Sequence, residues 1–313
     1  MIFFMVGCGN EKAPVKEETA SPAPAAEEKT ESKTSEWPRT ITDAVGHEIV
    51  LEKKPERIAI LHSMYLEYFL ALESAPIAST GSSRGDAMKA LETWETIKPY
   101  AGKNEIIDLG SARDINLEAI LAAKPDVIVT FKGQGNLDKI YDQLIQIAPV
   151  IQIDFQDTWQ KQTLDCAAIV GKEELAQEII QETEKSIDEA KALLSQKSDK
   201  KLAIFRTDGK GFIPRGDQKY YETFGLTIPE NYPLDYQMIS LETLSEMNPD
   251  YIVFQDFKDA AVAFTESQAV SSVWQSLKAV KDNKVFYFDD SLNTFGPLAL
   301  KLTAEKLVDI FQE

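Results

Sequence analysis

Short apolar runs, each closed by a polar turn, recur along the chain. The clearest are Ile58–Leu61, Val127–Phe131 and Val150–Ile153, and later Leu202–Phe205, Ile252–Phe254 and Val285–Phe288. Uninterrupted runs of this length read as strands buried on both faces. Weaker runs of the same kind lie at Ile77–Thr80, Ile106–Leu109 and Phe212–Ile213. Helical spacing fills the intervals, as from Leu137 to Ile147. Strands alternating with helices predict an α/β protein with largely parallel sheets. Ahead of the first run, Ile41–Leu51 alternates around Val45-Gly46 and predicts a small β-hairpin.

One helical stretch differs from the others. From Glu173 to about Gln196 there is no Gly or Pro, and Leu175, Ile179, Ile187, Ala190 and Leu194 mark a partial apolar stripe. About 24 residues at 1.5 Å each span roughly 36 Å, the width of a lobe. The stretch is read as a single long helix joining two α/β lobes. An internal repeat supports two lobes. Ile115–Val129 aligns without gaps on Ile239–Val253, at an offset of 124 residues. Each copy has an N-cap residue, Asn116 or Ser240, then a short helix ended by Pro125 or Pro249, then an aspartate and a strand. N-cap residues of this type accept the first free N–H groups of a helix, and proline cannot continue one. The predicted organisation is a first lobe over 37–172, a connecting helix over 173–197 and a second lobe over 198–313.

The N-terminal residues have another character. Met1–Gly7 is apolar and runs into Val-Gly-Cys at Cys8, which a polar tract follows. This matches the end of a bacterial lipoprotein signal over 1–8, cut short of a basic start, in which Cys8 becomes the acylated residue. Residues 9–36 carry Ala, Pro, Glu, Lys, Thr and Ser and no aromatic residue. Such a composition buries too little apolar area to offset its ordering entropy, so a disordered linker is expected. No later run approaches the ~20 apolar residues of a membrane span.

Composition narrows the function. Apolar residues make up 43% of 313 and charged residues 27%, an ordinary folded composition. Acidic residues number 51 against 33 basic, a net charge of −18, which disfavours nucleic-acid binding. Two cysteines, Cys8 and Cys166, make no disulfide framework and no C-x-x-C pair, and two histidines make no His-rich metal site. Cys166 lies in a helical run and is read as a buried free thiol. No G-x-S-x-G, Walker A or complete G-x-G-x-x-G is present.

Several stretches carry a family resemblance: Lys54–Ile60, Leu117–Ile128, Ser240–Asp250 and Val273–Lys281. With them the chain resembles the periplasmic-binding-protein family for ferric siderophores and vitamin B12, the substrate-binding components of ABC importers. It is similar to the siderophore-binding lipoproteins of Bacillus-like bacteria, the bacillibactin binder among them. The resemblance implies two Rossmann-like α/β lobes joined by a single long helix, a ligand cleft between them and only modest closure. It implies an Fe(III)-siderophore ligand with no direct protein–metal bond and no cofactor. It also implies an ABC permease dimer with its cytoplasmic ATPase as partner, and a lipid anchor on the extracytoplasmic face of the cell membrane. Glu118 and Glu242, in matching first helical turns of the repeat, align with the family's permease-docking glutamates. Haem or vitamin B12 as ligand, and an exported enzyme on the same fold, remain alternatives.

Ligands of open α/β sheets sit beyond the C-terminal ends of the strands. Those positions hold His62 and Tyr65, Arg84, Arg113, Lys132, Arg206 and Arg215. Basic side chains at so many strand ends, in so acidic a chain, match an anionic ferric chelate, whose oxygens Arg and Lys can pair without displacing the metal. At least two of the five basic residues are expected to line the cleft. Tyr65, Trp94, Phe131, Tyr236 and Phe257 are candidate aromatic walls.

Overall fold

Continuous burial along the central strands builds two separate sheets, covered on both faces. The computed structural model describes residues 37–81, 93–100, 102 and 105–312. Cys8, the linker 9–36 and Arg84 lie outside the described residues. The hairpin pairs β1 (Arg39–Thr42) with β2 (Glu48–Leu51), antiparallel. Asp43 closes its turn, Oδ1 accepting the N–H groups of Val45 and His47 at 3.0 and 2.8 Å.

The first sheet holds β3 (Ile58–Ile60), β4 (Ala78–Ser79), β5 (Ile107–Asp108), β6 (Val127–Phe131) and β7 (Val150–Ile153) in the order β5-β4-β3-β6-β7. Every pairing is parallel. Ile58, Ile60, Val127 and Val129 face one core, and Ala59, Leu61 and Ile128 face the other. Helices α1 (Leu66–Ala71), α2 (Leu117–Ala123) and α3 (Leu137–Leu144) connect its strands, and α4 (Trp159–Val170) follows β7. The long helix, α5, runs Glu173–Leu194.

The second sheet has β8 (Leu202–Thr207), β9 (Phe212–Pro214), β10 (Tyr251–Asp256) and β11 (Val285–Asp289), in the order β11-β10-β8-β9. Its edge strand β9 is antiparallel to β8, because only a short turn joins them. Helices α6 (Gln218–Phe224), α7 (Leu241–Met247), α8 (Lys258–Gln268), α9 (Ser272–Ser276), α10 (Lys278–Lys281) and α11 (Pro297–Gln312) complete it.

The repeat has a structural counterpart down to its hydrogen bonds. Asn116 and Ser240 cap α2 and α7, accepting the N–H groups of Ala119 and Thr243 at 3.0 and 3.2 Å. Both helices end in a left-handed residue, Lys124 at φ 49° and Asn248 at φ 40°, one position before the proline. Asp126 then accepts the N–H of Arg57 at 2.9 Å, and Asp250 that of Lys201 at 2.9 Å. Each aspartate thus ties the start of one strand to the residue that leads into its neighbour.

The junction between the lobes is more than one helix. Helix α5 presents Ala176 to a core of the first lobe and Ile187, Ala190 and Leu194 to a core of the second. The C-terminal helix α11 lies along α5 and also touches α1. Trp159, at the start of α4, is buried in the second lobe's core. Glu67 of α1 is 2% exposed, and its carboxylate accepts the N–H of Gly296 at 3.0 Å and of Ala299 at 2.8 Å, with the Thr294 hydroxyl donating as well. Those N–H groups belong to the start of α11, where a helix has no partners of its own. Burial pushes the Glu67 carboxyl up to about 7, against the pull of these hydrogen bonds. Residues Ser35–Glu313 accordingly form one compact unit.

Candidate functional site

A cavity of about 210 Å³ opens between the lobes. On the second-lobe side its chemistry centres on Arg215, at the end of β9. The Arg215 N–H bonds the carbonyl of Ile204 at 2.9 Å, and Arg206 pairs with Ile213, so both arginines share one face of the sheet. Tyr232 fixes the bend that follows: its hydroxyl accepts the N–H groups of Arg215 and Gly216, both at 3.1 Å. Gly216 is required there, since a Cβ would stand 2.6 Å from the Tyr221 ring.

The Arg215 guanidinium is held in place. Nε and Nη2 donate to Asn293 Oδ1 at 2.8 and 2.6 Å, and the group lies 5.8 Å from the Tyr236 ring centre. Asn293 sits in a 3-10 turn, Asp290–Thr294, just after β11. Its Oδ1 also accepts Gln255 Nε2 at 3.0 Å, and its Nδ2 donates to the carbonyl of Asp290 at 2.9 Å. Lys219 lies over the Phe295 ring at 5.5 Å, and Asp217 accepts the Tyr220 N–H at 2.8 Å. All of these side chains line the cavity.

The first lobe contributes Met64, Phe155, Asp157, Trp159 and Gln162. Gln162 Nε2 donates to the carbonyl of Asp157 at 3.0 Å, and its Oε1 is buried without a hydrogen-bond partner. Phe155, 46% exposed, stands edge-on to Phe131, which in turn meets the His62 ring edge-on. Among the described residues, no three His, Cys, Asp or Glu side chains gather to hold a metal ion.

Of the predicted basic residues, Arg215 lines the cavity. Arg206 is half-buried outside that lining, with Nε buried and lacking a hydrogen-bond partner. Lys132 is exposed, with its Nζ 3.4 Å from Asp154 Oδ2. Arg113 is exposed in the turn Ser111–Asp114. His62 serves the backbone: Nδ1 accepts the N–H of Met64 at 3.3 Å, and burial lowers its pKa to about 4. Tyr65 and Trp94 are corrections to the aromatic-wall expectation. They are 0% and 5% exposed and pack in the first lobe's core, because the run after β3 turns inward as α1 begins. Tyr236 does line the cavity. Cys166 is a buried free thiol, and burial raises its pKa. Glu118 and Glu242 are both exposed in the first turns of α2 and α7. Asn293 and Phe295 were missed, although carrying the strand-end rule on past Val285–Phe288 leads to them. Gln162 and Asp157 precede or enter α4, and no residue pattern marks them.

Residues 58–292 match the family model described as periplasmic binding protein. The chain is 27% identical over 287 residues to the Fe(3+)-citrate-binding protein YfmC of Bacillus subtilis, covering 89% of this chain and 86% of that one. It is 32% identical over 223 residues to the iron-uptake system-binding protein of the same organism, covering 63% and 68%. Among solved structures, the triscatecholate siderophore binding protein FeuA of B. subtilis, complexed with ferri-bacillibactin, superposes with a TM-score of 0.70 at 22% identity, over 88% of this chain and 99% of that one.

Proposed function

The chain belongs to the periplasmic binding protein family, and from that premise we propose that it captures a ferric siderophore between its lobes, as the extracytoplasmic substrate-binding lipoprotein of an ABC importer. The observation that carries this reading is an interlobe cavity holding an oriented guanidinium, in a chain whose relatives are named for iron and ferric-citrate binding. The iron arrives wrapped in its chelator, so the protein supplies neither a metal ligand nor a cofactor. Arg215 meets the chelate's oxygens, and the aromatic side chains meet its organic rim. The protein has no turnover of its own; it hands the chelate to a permease dimer driven by a cytoplasmic ATPase. Glu118 and Glu242, exposed at matching places in the two lobes, make the docking pair. A lipid on Cys8 holds the protein at the outer face of the membrane. Relatives named as lipoproteins support the anchor, and no helix among the described residues is long and apolar enough to cross a membrane.

The test is tryptophan fluorescence during titration with ferric chelates, since Trp159 lines the cavity. Saturable quenching by a ferric siderophore is expected. Absence of binding to every ferric chelate tried, with the fold intact by circular dichroism, overturns the reading. Binding of haem or vitamin B12 instead, or turnover of an exported substrate, redirects it to those alternatives.

A further inference from the structure

Among the described residues, the charges lining the cavity cancel, and this constrains the ligand. Arg215 and Lys219 supply two positive charges, and Asp157 and Asp217 supply two negative ones. Lys132, beyond the lining, faces Asp154 at 3.4 Å. Arg206 is a further cation on the Arg215 face of the sheet, with a buried Nε that has no hydrogen-bond partner.

A ferric tris-catecholate is a trianion, whereas a ferric tris-hydroxamate is neutral. Placing a trianion beside Asp157 and Asp217 takes it out of water without the matching positive charge that burial of ions requires. The rest of the lining suits a weakly charged organic surface. It offers the rings of Phe155, Tyr236 and Phe295.

We infer that this cavity selects ferric chelates of low net charge and discriminates against trianionic ones. The inference rests on the siderophore reading above and adds the ligand's charge class to it. It is tested by titrating the purified protein with ferrichrome, a neutral ferric tris-hydroxamate, and with ferric enterobactin, a trianionic tris-catecholate. Ferrichrome is expected to bind at least tenfold more tightly. Asp157→Asn, which removes one lining carboxylate, is expected to narrow that ratio by threefold or more. Equal or tighter binding of the trianion overturns the charge inference and leaves the siderophore reading standing, and so does a ratio that Asp157→Asn leaves unchanged. Failure of both probes and of ferric citrate overturns the siderophore reading itself, and the charge inference falls with it.

Discussion

A single oxygen of Asn293 receives both Nε and Nη2 of Arg215. The Asn293 amide nitrogen is meanwhile bound to the 3-10 turn that carries it, so the guanidinium is aimed by the backbone after β11. Removing this acceptor takes away the contact that orients Nε and Nη2. Asn293→Ala is expected to weaken ferric-ligand binding about tenfold, or about 1.4 kcal/mol. The double variant with Arg215→Ala should bind no worse than Arg215→Ala alone, since the two act as one unit. Titration of the three variants checks this, and additive losses count against it.

Glu67 gives a pH dependence with a definite sign. Its pKa is raised from 4.5 to about 7 in the folded protein. Between those values the folded protein holds a proton that the unfolded chain has released. Its contribution to stability is therefore full below pH 4.5 and is lost as pH rises through 7. Thermal unfolding of the protein and of Glu67→Gln, compared at pH 5 and pH 8, isolates this group. The protein should lose more stability than the variant on going to pH 8.

Gly296 tests the same contact from the other side. A Cβ at this position would stand 2.5 Å from the Glu67 carboxylate. Gly296→Ala is expected to cost about 1–3 kcal/mol by overpacking a closed site. Denaturant unfolding measures the loss.

The proposed docking role can be separated from binding by charge reversal. Glu118→Lys with Glu242→Lys should leave ferric-ligand affinity within about twofold, or roughly 0.4 kcal/mol. It should also abolish iron uptake in cells, because like charges facing each other across an interface cost several kcal/mol. Normal uptake at normal protein level would remove both residues from the docking role.

Lys132 makes a contrast within the basic set. It is half exposed and faces Asp154, and it does not line the cavity. Lys132→Ala is expected to leave affinity within about twofold, or roughly 0.4 kcal/mol. A tenfold loss would bring the lysine into the ligand site.

The scaffold was legible because burial on both faces writes itself as unbroken apolar runs. Val127–Phe131 and Val150–Ile153 are strands at the predicted bounds. The repeat was legible because Asn116, Ser240 and the two prolines each have a local backbone role. The cavity was less so. Its polar lining depends on which strand ends and helix starts meet across the lobes, a long-range matter that no local pattern records. Tyr65 shows the limit: a residue beyond a strand end still turns into the core when the next helix begins at once. Gln162 shows the converse, an ordinary residue of α4 brought to the cavity by the packing of that helix between the lobes.

Trp159 belongs to the first lobe by sequence and to the second by packing, while α11 returns from the second lobe to Glu67 of the first. Neither lobe therefore completes its core alone. A fragment ending at residue 172 would strand the Trp159 ring in water, and one beginning at residue 198 would lack both that ring and the α5 face that covers the second sheet. The lobes are halves of one cooperative folding unit, and heat or denaturant should melt them in a single transition seen alike by every probe.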